Sequence, residues 1–340
     1  MLANRSALSP LSLLTNRTHR TLLCLAMLLS VCALAEDKII SFDPPGSRQT
    51  VPLSINARGF ITGYYSNGSA THGFLRLPDG SFTDIDVPGS TATYAWSLNS
   101  TGWITGYFAR NTVHGFLRAP EGRYIAFDPP GSTSTMPQSI NSAGMVTGSY
   151  AANGMAHGFL RYPDGTISSF DPPDSTSTQP KSINAAGVIT GHYMGSDQLY
   201  HGLLRALDGS ITIFDVQSGQ DTQPANINSA GEVTGSYGPL NNPAGFLRLP
   251  DGTMITFVPN DPVTSVSPYD INDLGDIIGF SQFPSGQCGG FLRHRDGTIE
   301  TLVIQGVTFV FPFSINSAGE ITGYYQDSVY TTAHGFLRSP

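Results

Sequence analysis

Cysteine is almost absent from this chain: three occur in 340 residues, and Cys24 and Cys32 lie among the first 35, so only Cys288 belongs to the rest. A disulfide framework is excluded for the body of the protein, as is a paired-cysteine metal or redox motif. Charge is scarce as well, at 12% of residues where an average domain has about 25%. Ser, Thr, Asn and Gln must therefore fill many polar positions. Basic residues are the scarcer sign: beyond Arg5, Arg17 and Arg20 the chain holds 14 Lys and Arg against 25 Asp and Glu. That balance excludes a nucleic-acid partner, which needs a basic surface. No apolar run is long enough for a comfortable membrane span, since the segment 21–35 has fifteen residues. Nucleophile-elbow, zinc-protease and phosphate-loop motifs are also missing, so no catalytic residue, cofactor or metal is assigned.

Arg17, His19 and Arg20 precede the 21–35 run, which ends in Ala33-Leu34-Ala35 before Glu36. This is the layout of a cleaved secretory signal peptide over residues 1–35. Leu29-Ser30-Val31-Cys32 matches a lipoprotein box only loosely, because Val31 stands where a small residue is needed. The expected location is secreted or cell-surface, with the periplasm as the other exported compartment.

What the chain does have is repetition. From residue 38 one unit of about 43 residues recurs seven times, at 38–80, 81–122, 123–165, 166–209, 210–252, 253–297 and 298–340. Alternating apolar runs and turn residues make it a strand repeat. The first strand ends at Ser54-Ile55-Asn56. Every copy then has Asn and Gly three residues apart: Asn56/Gly59, Asn99/Gly102, Asn141/Gly144, Asn184/Gly187, Asn228/Gly231, Asn272/Gly275 and Asn316/Gly319. Asn bonds its own backbone two residues on and Gly supplies positive φ, so these are tight turns. Ile61–Tyr65 and His72–Arg76 form the second and third strands, and Pro78-Asp79-Gly80 turns the chain into a fourth, Phe82–Asp86. Four antiparallel strands in 43 residues predict one propeller blade, and seven copies predict an all-β, seven-bladed β-propeller. The seventh copy stops after its third strand, whereas the chain after the leader opens on a spare fourth strand, 38–43. The ring is expected to close by pairing of the two.

Register about the Pro-Asp-Gly turn sets His72 opposite Asp86. The same separation holds for His114 and Asp128, His157 and Asp171, and His201 and Asp215. In the fifth and sixth copies both members change together, to Ala244/Val258 and Gly289/Val303. His334 lacks a downstream partner, and Asp43 of the spare strand fills that place. These are read as structural pairs, since a third strand lies too far from a ring axis for equivalent histidines to share a metal. Phe74, Phe116, Phe159, Leu203, Phe246, Phe291 and Phe336 recur on the third strand as core. Arg76, Arg118, Arg161, Arg205, Arg248, Arg293 and Arg338 recur as braces to backbone carbonyls or carboxylates.

The recurring His-Gly-Phe-Leu-Arg, Ser-Ile-Asn-x-x-Gly-x-Ile-Thr-Gly and Pro-Asp-Gly elements resemble the extracellular repeats of the HAF family, with His-Gly-Phe in place of His-Ala-Phe. The resemblance spans 38–340. It implies a bacterial exported repeat protein and brings no reaction with it.

Function in a repeat fold is sought where the copies differ. The loops between second and third strands vary and share a rim with the crossovers between copies. Arg48, Trp96, Arg110, Lys181, Asp197, Asp221 and Tyr330 are the candidate binding residues on that rim. The expected activity is non-catalytic binding of a glycan or protein ligand by a monomer with no membrane span. The alternative is a secreted polymer-degrading hydrolase or lyase using the same rim. A pocket holding His with Asp, or several carboxylates, would favour the enzyme; a broad aromatic and amide-lined surface would favour binding.

Overall fold

The computed structural model describes residues 38–259, 263–307, 309–326 and 332–340, and the leader 1–35 and Tyr330 lie outside them. The described residues form 28 β-strands and no helix. Residues 39–339 constitute one unit. Gln49–Ile55, Ile61–Ser66, Thr71–Arg76 and Phe82–Ile85 pair in chain order, antiparallel throughout. The same succession recurs along the chain, for instance Ser177–Ile183, Ile189–Met194, Tyr200–Arg205 and Ile211–Phe214. Single parallel bridges such as Thr71 to Ala92 and Val113 to Ser134 join some successive groups, so twenty strands count as one sheet and two groups of four stand apart. The initial strand Lys38–Phe42 pairs with the final one, Ala333–Ser339.

The core lies between successive groups. One cluster joins Ile85 and Val87 with Ala95, Leu98, Ile104 and Phe116, and another joins Leu337 and Phe42 with Ile55, Ile61 and Phe74. The third-strand Phe or Leu of every copy is at most 2% exposed, and each contributes about 1.5–3 kcal/mol when fully buried. Third-strand glycines make room for this packing: a Cβ on Gly202 would meet the Phe214 ring at 2.7 Å, and one on Gly335 the Phe42 ring at 2.6 Å.

The turn asparagines do more than close turns. Asn56 Oδ1 accepts from the backbone of Arg58 and Phe60, while its Nδ2 donates to the Asn99 carbonyl at 3.1 Å. Asn99 donates to Asn141, Asn141 to Asn184, Asn184 to Asn228, Asn228 to Asn272, Asn272 to Asn316, and Asn316 back to Asn56 at 3.1 Å. The seven amides form a hydrogen-bond circuit, all of them buried.

The structure places the histidines and aspartates together at 2.9 Å for His72–Asp86, 2.7 Å for His114–Asp128, 2.7 Å for His157–Asp171, 2.9 Å for His201–Asp215 and 2.7 Å for His334–Asp43. The second oxygen of Asp43 accepts from Thr50, and that of Asp128 from Thr135, so each of these carboxylates ties one group to the first strand of the next. The arginines brace backbone carbonyls or a carboxylate as expected, and most add a contact the spacing did not give. Arg161 donates to the Tyr162 carbonyl at 3.0 Å, but its guanidinium also lies 5.1 Å above the Phe127 ring at the end of the preceding fourth strand. Arg76, Arg205, Arg248 and Arg293 stack likewise on Phe42, Phe170, Phe214 and Phe257. Arg338, for which the corresponding fourth-strand residue is Leu302, reaches Glu300 at 2.8 Å instead.

Candidate functional site

Each first strand carries one residue too many. The ladder with the second strand slips between Pro52 and Ser54, Ala95 and Ser97, Pro137 and Ser139, Pro180 and Ser182, Pro224 and Asn226, Pro268 and Asp270, and Pro312 and Ser314. Such a bulge re-aims the side chain it skips. Second-strand glycine permits it, because a Cβ on Gly63 would stand 2.2 Å from the Val51 carbonyl oxygen and 2.8 Å from Pro52 Cα. The skipped residues are Leu53, Trp96, Gln138, Lys181, Ala225, Tyr269 and Phe313, different in every copy, and all line one cavity of about 610 Å³. Here a repeating scaffold presents a non-repeating surface.

The wall of this cavity is divided by chemistry. Copies six, seven, one and two supply the lining rings Tyr269, Phe313, Tyr324, Tyr64 and Trp96. Tyr269 packs on Phe313 at 4.8 Å and Phe313 on Tyr324 at 5.7 Å, while in a second set of touching rings Trp96 packs at 5.7 Å on Tyr107, which is outside the lining. Phe280, Phe311, Tyr94 and Tyr64 extend these contacts. Burial and neighbouring phenols push Tyr107 and Tyr324 up to about 12, so both stay neutral hydroxyls. Copies three, four and five supply Gln138, Lys181, His192, Gln223, Asn226 and Ser236.

Three ionisable side chains sit in the cavity wall besides the tyrosines. Burial pulls Lys181 below the usual lysine range, and its Nζ donates to Gln179 Oε1 at 3.3 Å. Burial, helped by the Lys181 charge, pushes His192 down to about 3, and its buried Nδ1 has no hydrogen-bond partner. Asp270 is pushed up to about 6 by burial, against the hydrogen bonds it accepts. Its Oδ1 accepts from Asn226 Nδ2 at 2.6 Å and from the Ile271 amide, and its Oδ2 accepts from the Ile315 amide at 2.9 Å. Ser54, Ser97, Ser139 and Ser314 take the amide of the following copy in the same way. Asp270 therefore does the structural work of those serines. Below it a second cavity of about 410 Å³, lined by the Ser-Ile-Asn turns, shares Ser54, Ser139, Ser182, Asn226, Asp270 and Ser314 with the first.

The rim assignment needs correction for two residues. Trp96 and Lys181 belong to first strands, Ala92–Leu98 and Ser177–Ile183, and line the cavity. The bulge turns them inward. Arg48, Arg110, Asp197 and Asp221 do lie in or beside loops, but they are not gathered in the cavity wall and they hold those loops together. Arg48 lies against Gly68, and its amide donates to the Ser66 carbonyl. Arg110 donates to the Pro88 and Gly89 carbonyls. Asp221 accepts from the Tyr200 amide at 2.9 Å, and Asp197 accepts from the Leu199 amide and meets His201 Nε2 at 3.2 Å. With Asp215 on its other nitrogen, His201 has two carboxylates, which raise its pKa although burial opposes them.

Tyr64, His192, Tyr269, Asp270, Phe313 and Tyr324 were not singled out by comparing loops. For five of them the signal lay one residue before each Ser-Ile-Asn or one after each Thr-Gly, where the copies differ, and Asp270 stands in the Ser place of that motif itself.

No family model and no curated protein sequence matches this chain. Among solved structures, it is similar to virginiamycin B lyase from Staphylococcus aureus, solved as a catalytically inactive variant with quinupristin, at TM-score 0.62 and 16% identity over 89% of this chain and 99% of that one. A streptogramin B lyase structure gives TM-score 0.59 at 14% identity, covering 89% and 98%. The β-propeller domain of the Trilobed protease from Pyrococcus furiosus gives 0.60 at 9% identity, covering 87% and 94%. These likenesses carry the fold, an all-β propeller-like architecture, and nothing about chemistry.

Proposed function

We propose that the chain is an exported seven-bladed propeller, closed by the strand 38–43 and akin to HAF repeat proteins, that binds a glycan in the cavity at its centre without altering it. Closure is supported by the His334–Asp43 pair and by the return of the asparagine circuit from Asn316 to Asn56. The observation that carries the binding reading is the divided wall: aromatic rings on one arc, amides and hydroxyls on the other. Sugars have apolar ring faces that stack on aromatics and hydroxyl edges that need amide partners, and a concave site offering both is suited to them. The hydrolase or lyase alternative needs an acid or base poised near working pH. The cavity does hold a His and an Asp, and Asp270 at about 6 titrates near that range, but its oxygens are taken by Asn226 and two backbone amides, and a histidine held at about 3 is a weak base with no carboxylate behind it.

The test is a glycan array run beside turnover assays on the same polymers. Retention of at least one glycan class with no new chain ends is the expected outcome. Cleavage of any bound polymer would replace the binding module with an enzyme.

A further inference from the structure

We infer that the preferred glycan bears a carboxylate on its sugar ring, a uronic acid, held with the carboxylate against Lys181 and the apolar ring face on the opposite aromatic arc. The inference rests on the glycan reading above and specifies the ligand within the same cavity.

Lys181 is the cavity's one Lys or Arg among the described residues. Its ammonium has no carboxylate partner, only the neutral Gln179 Oε1 at 3.3 Å. The other formal charge in the wall, Asp270, is turned to Asn226 and two backbone amides and does not neutralise it. Beside Lys181 stands His192, paired across the strands with Gln179, 6% exposed, with an Nδ1 that nothing in the protein satisfies. A half-buried cation without a counter-ion is costly. One ligand carboxylate would supply the counter-ion that Lys181 lacks, while His192 Nδ1 is shut off from the cavity and takes no part. The position is also free to vary, since the skipped residue is Gln138 one copy earlier and Ala225 one copy later. A lysine there is not demanded by the fold.

Lys181→Gln reproduces the third copy's residue, so it should fold. Calorimetric titrations would compare tetrasaccharides of galacturonate, mannuronate and hyaluronan with their methyl esters, which keep the rings and remove the charge. For at least one of the three, the wild-type protein is expected to bind the acid about tenfold or more tightly than the ester, as a partly desolvated charge pair allows. Lys181→Gln should abolish that preference, Lys181→Arg should keep most of it, and both variants should melt as the wild type does. Equal affinity for acid and ester, a preference that survives Lys181→Gln, or binding of neutral glycans alone would overturn the uronate assignment while leaving glycan binding in place. Failure of every glycan, charged or neutral, would remove both.

Discussion

At the scale of single residues, the cavity sets two titrations against each other. His192 is held at about 3, below the usual 6.5, so the unfolded chain binds more protons between those values. Stability present above pH 6.5 is lost as the pH falls. Asp270 runs the other way: its pKa is raised from 3.8 to about 6, so the folded chain binds more protons in between. Its contribution is present below pH 3.8 and is lost as pH rises through 6. Between pH 6.5 and 4.5 each effect is on the order of 2 kcal/mol and they nearly cancel. Chemical denaturation at the two pH values should therefore show His192→Ser gaining about 2 kcal/mol on acidification relative to wild type, and Asp270→Asn losing about as much. Two variants that track the wild type would mean that neither group is perturbed. Residue pairing was legible without a structure where two positions change together, as Ala244 does with Val258. His192 was not, because a buried histidine on a strand looks in sequence like any other polar residue between apolar ones.

At the scale of elements, the deciding feature is the crowding of glycines by their neighbours. The third-strand glycine is where the ring of the fourth strand lands, and the space differs between copies: a Cβ at Gly202 meets Phe214 ring atoms at 2.7 Å, whereas one at Gly290 meets Leu302 Cβ at 3.1 Å. Overpacking a core costs about 1–3 kcal/mol. Gly202→Ala should thus lose that much in urea denaturation and Gly290→Ala clearly less; equal losses would show that the ring does not set the limit. The order of strands, the Asn-Gly turns and the Pro-Asp-Gly turns could all be read from spacing, since turn chemistry is local. The bulge could not. One additional residue between Pro52 and Ser54 reverses which side chain faces inward, and alternation alone gives no sign of it. That is why Trp96 and Lys181 were sought on the rim.

For the whole molecule, the account requires the junction between the last copy and the strand 38–43 to be a junction like the others. His334–Asp43 spans 291 residues and His114–Asp128 spans 14, yet both are 2.7 Å apart with side chains about one-third exposed, 30% and 35% against 31% and 35%. Exposed pairs of this kind contribute about 0.2–1 kcal/mol. Double-mutant cycles on the two pairs should give the same coupling within error. A coupling found at His114–Asp128 and absent at His334–Asp43 would open the ring. The asparagine circuit predicts a larger effect: Asn184→Ala removes a buried amide that serves its own turn and the next, and should cost about 3 kcal/mol. An Asn184→Ala protein as stable as wild type in denaturant titration would reduce the circuit to an incidental alignment. The strand repeat is visible in the spacing of the sequence, but the seven-way contact of turns needs copies brought together in space, which no single stretch of sequence displays.

The central claim is that ligand recognition sits in the cavity and not on the loop rim. Titration of the array-selected glycan into two double variants tests it directly, one losing cavity rings, Trp96→Ala with Tyr324→Ala, the other losing rim arginines, Arg48→Ala with Arg110→Ala. Aromatic anchors that dominate binding predict at least a tenfold loss for the first, or about 1.4 kcal/mol, and wild-type affinity for the second. Full affinity in the cavity variant together with a weakened rim variant would contradict the account.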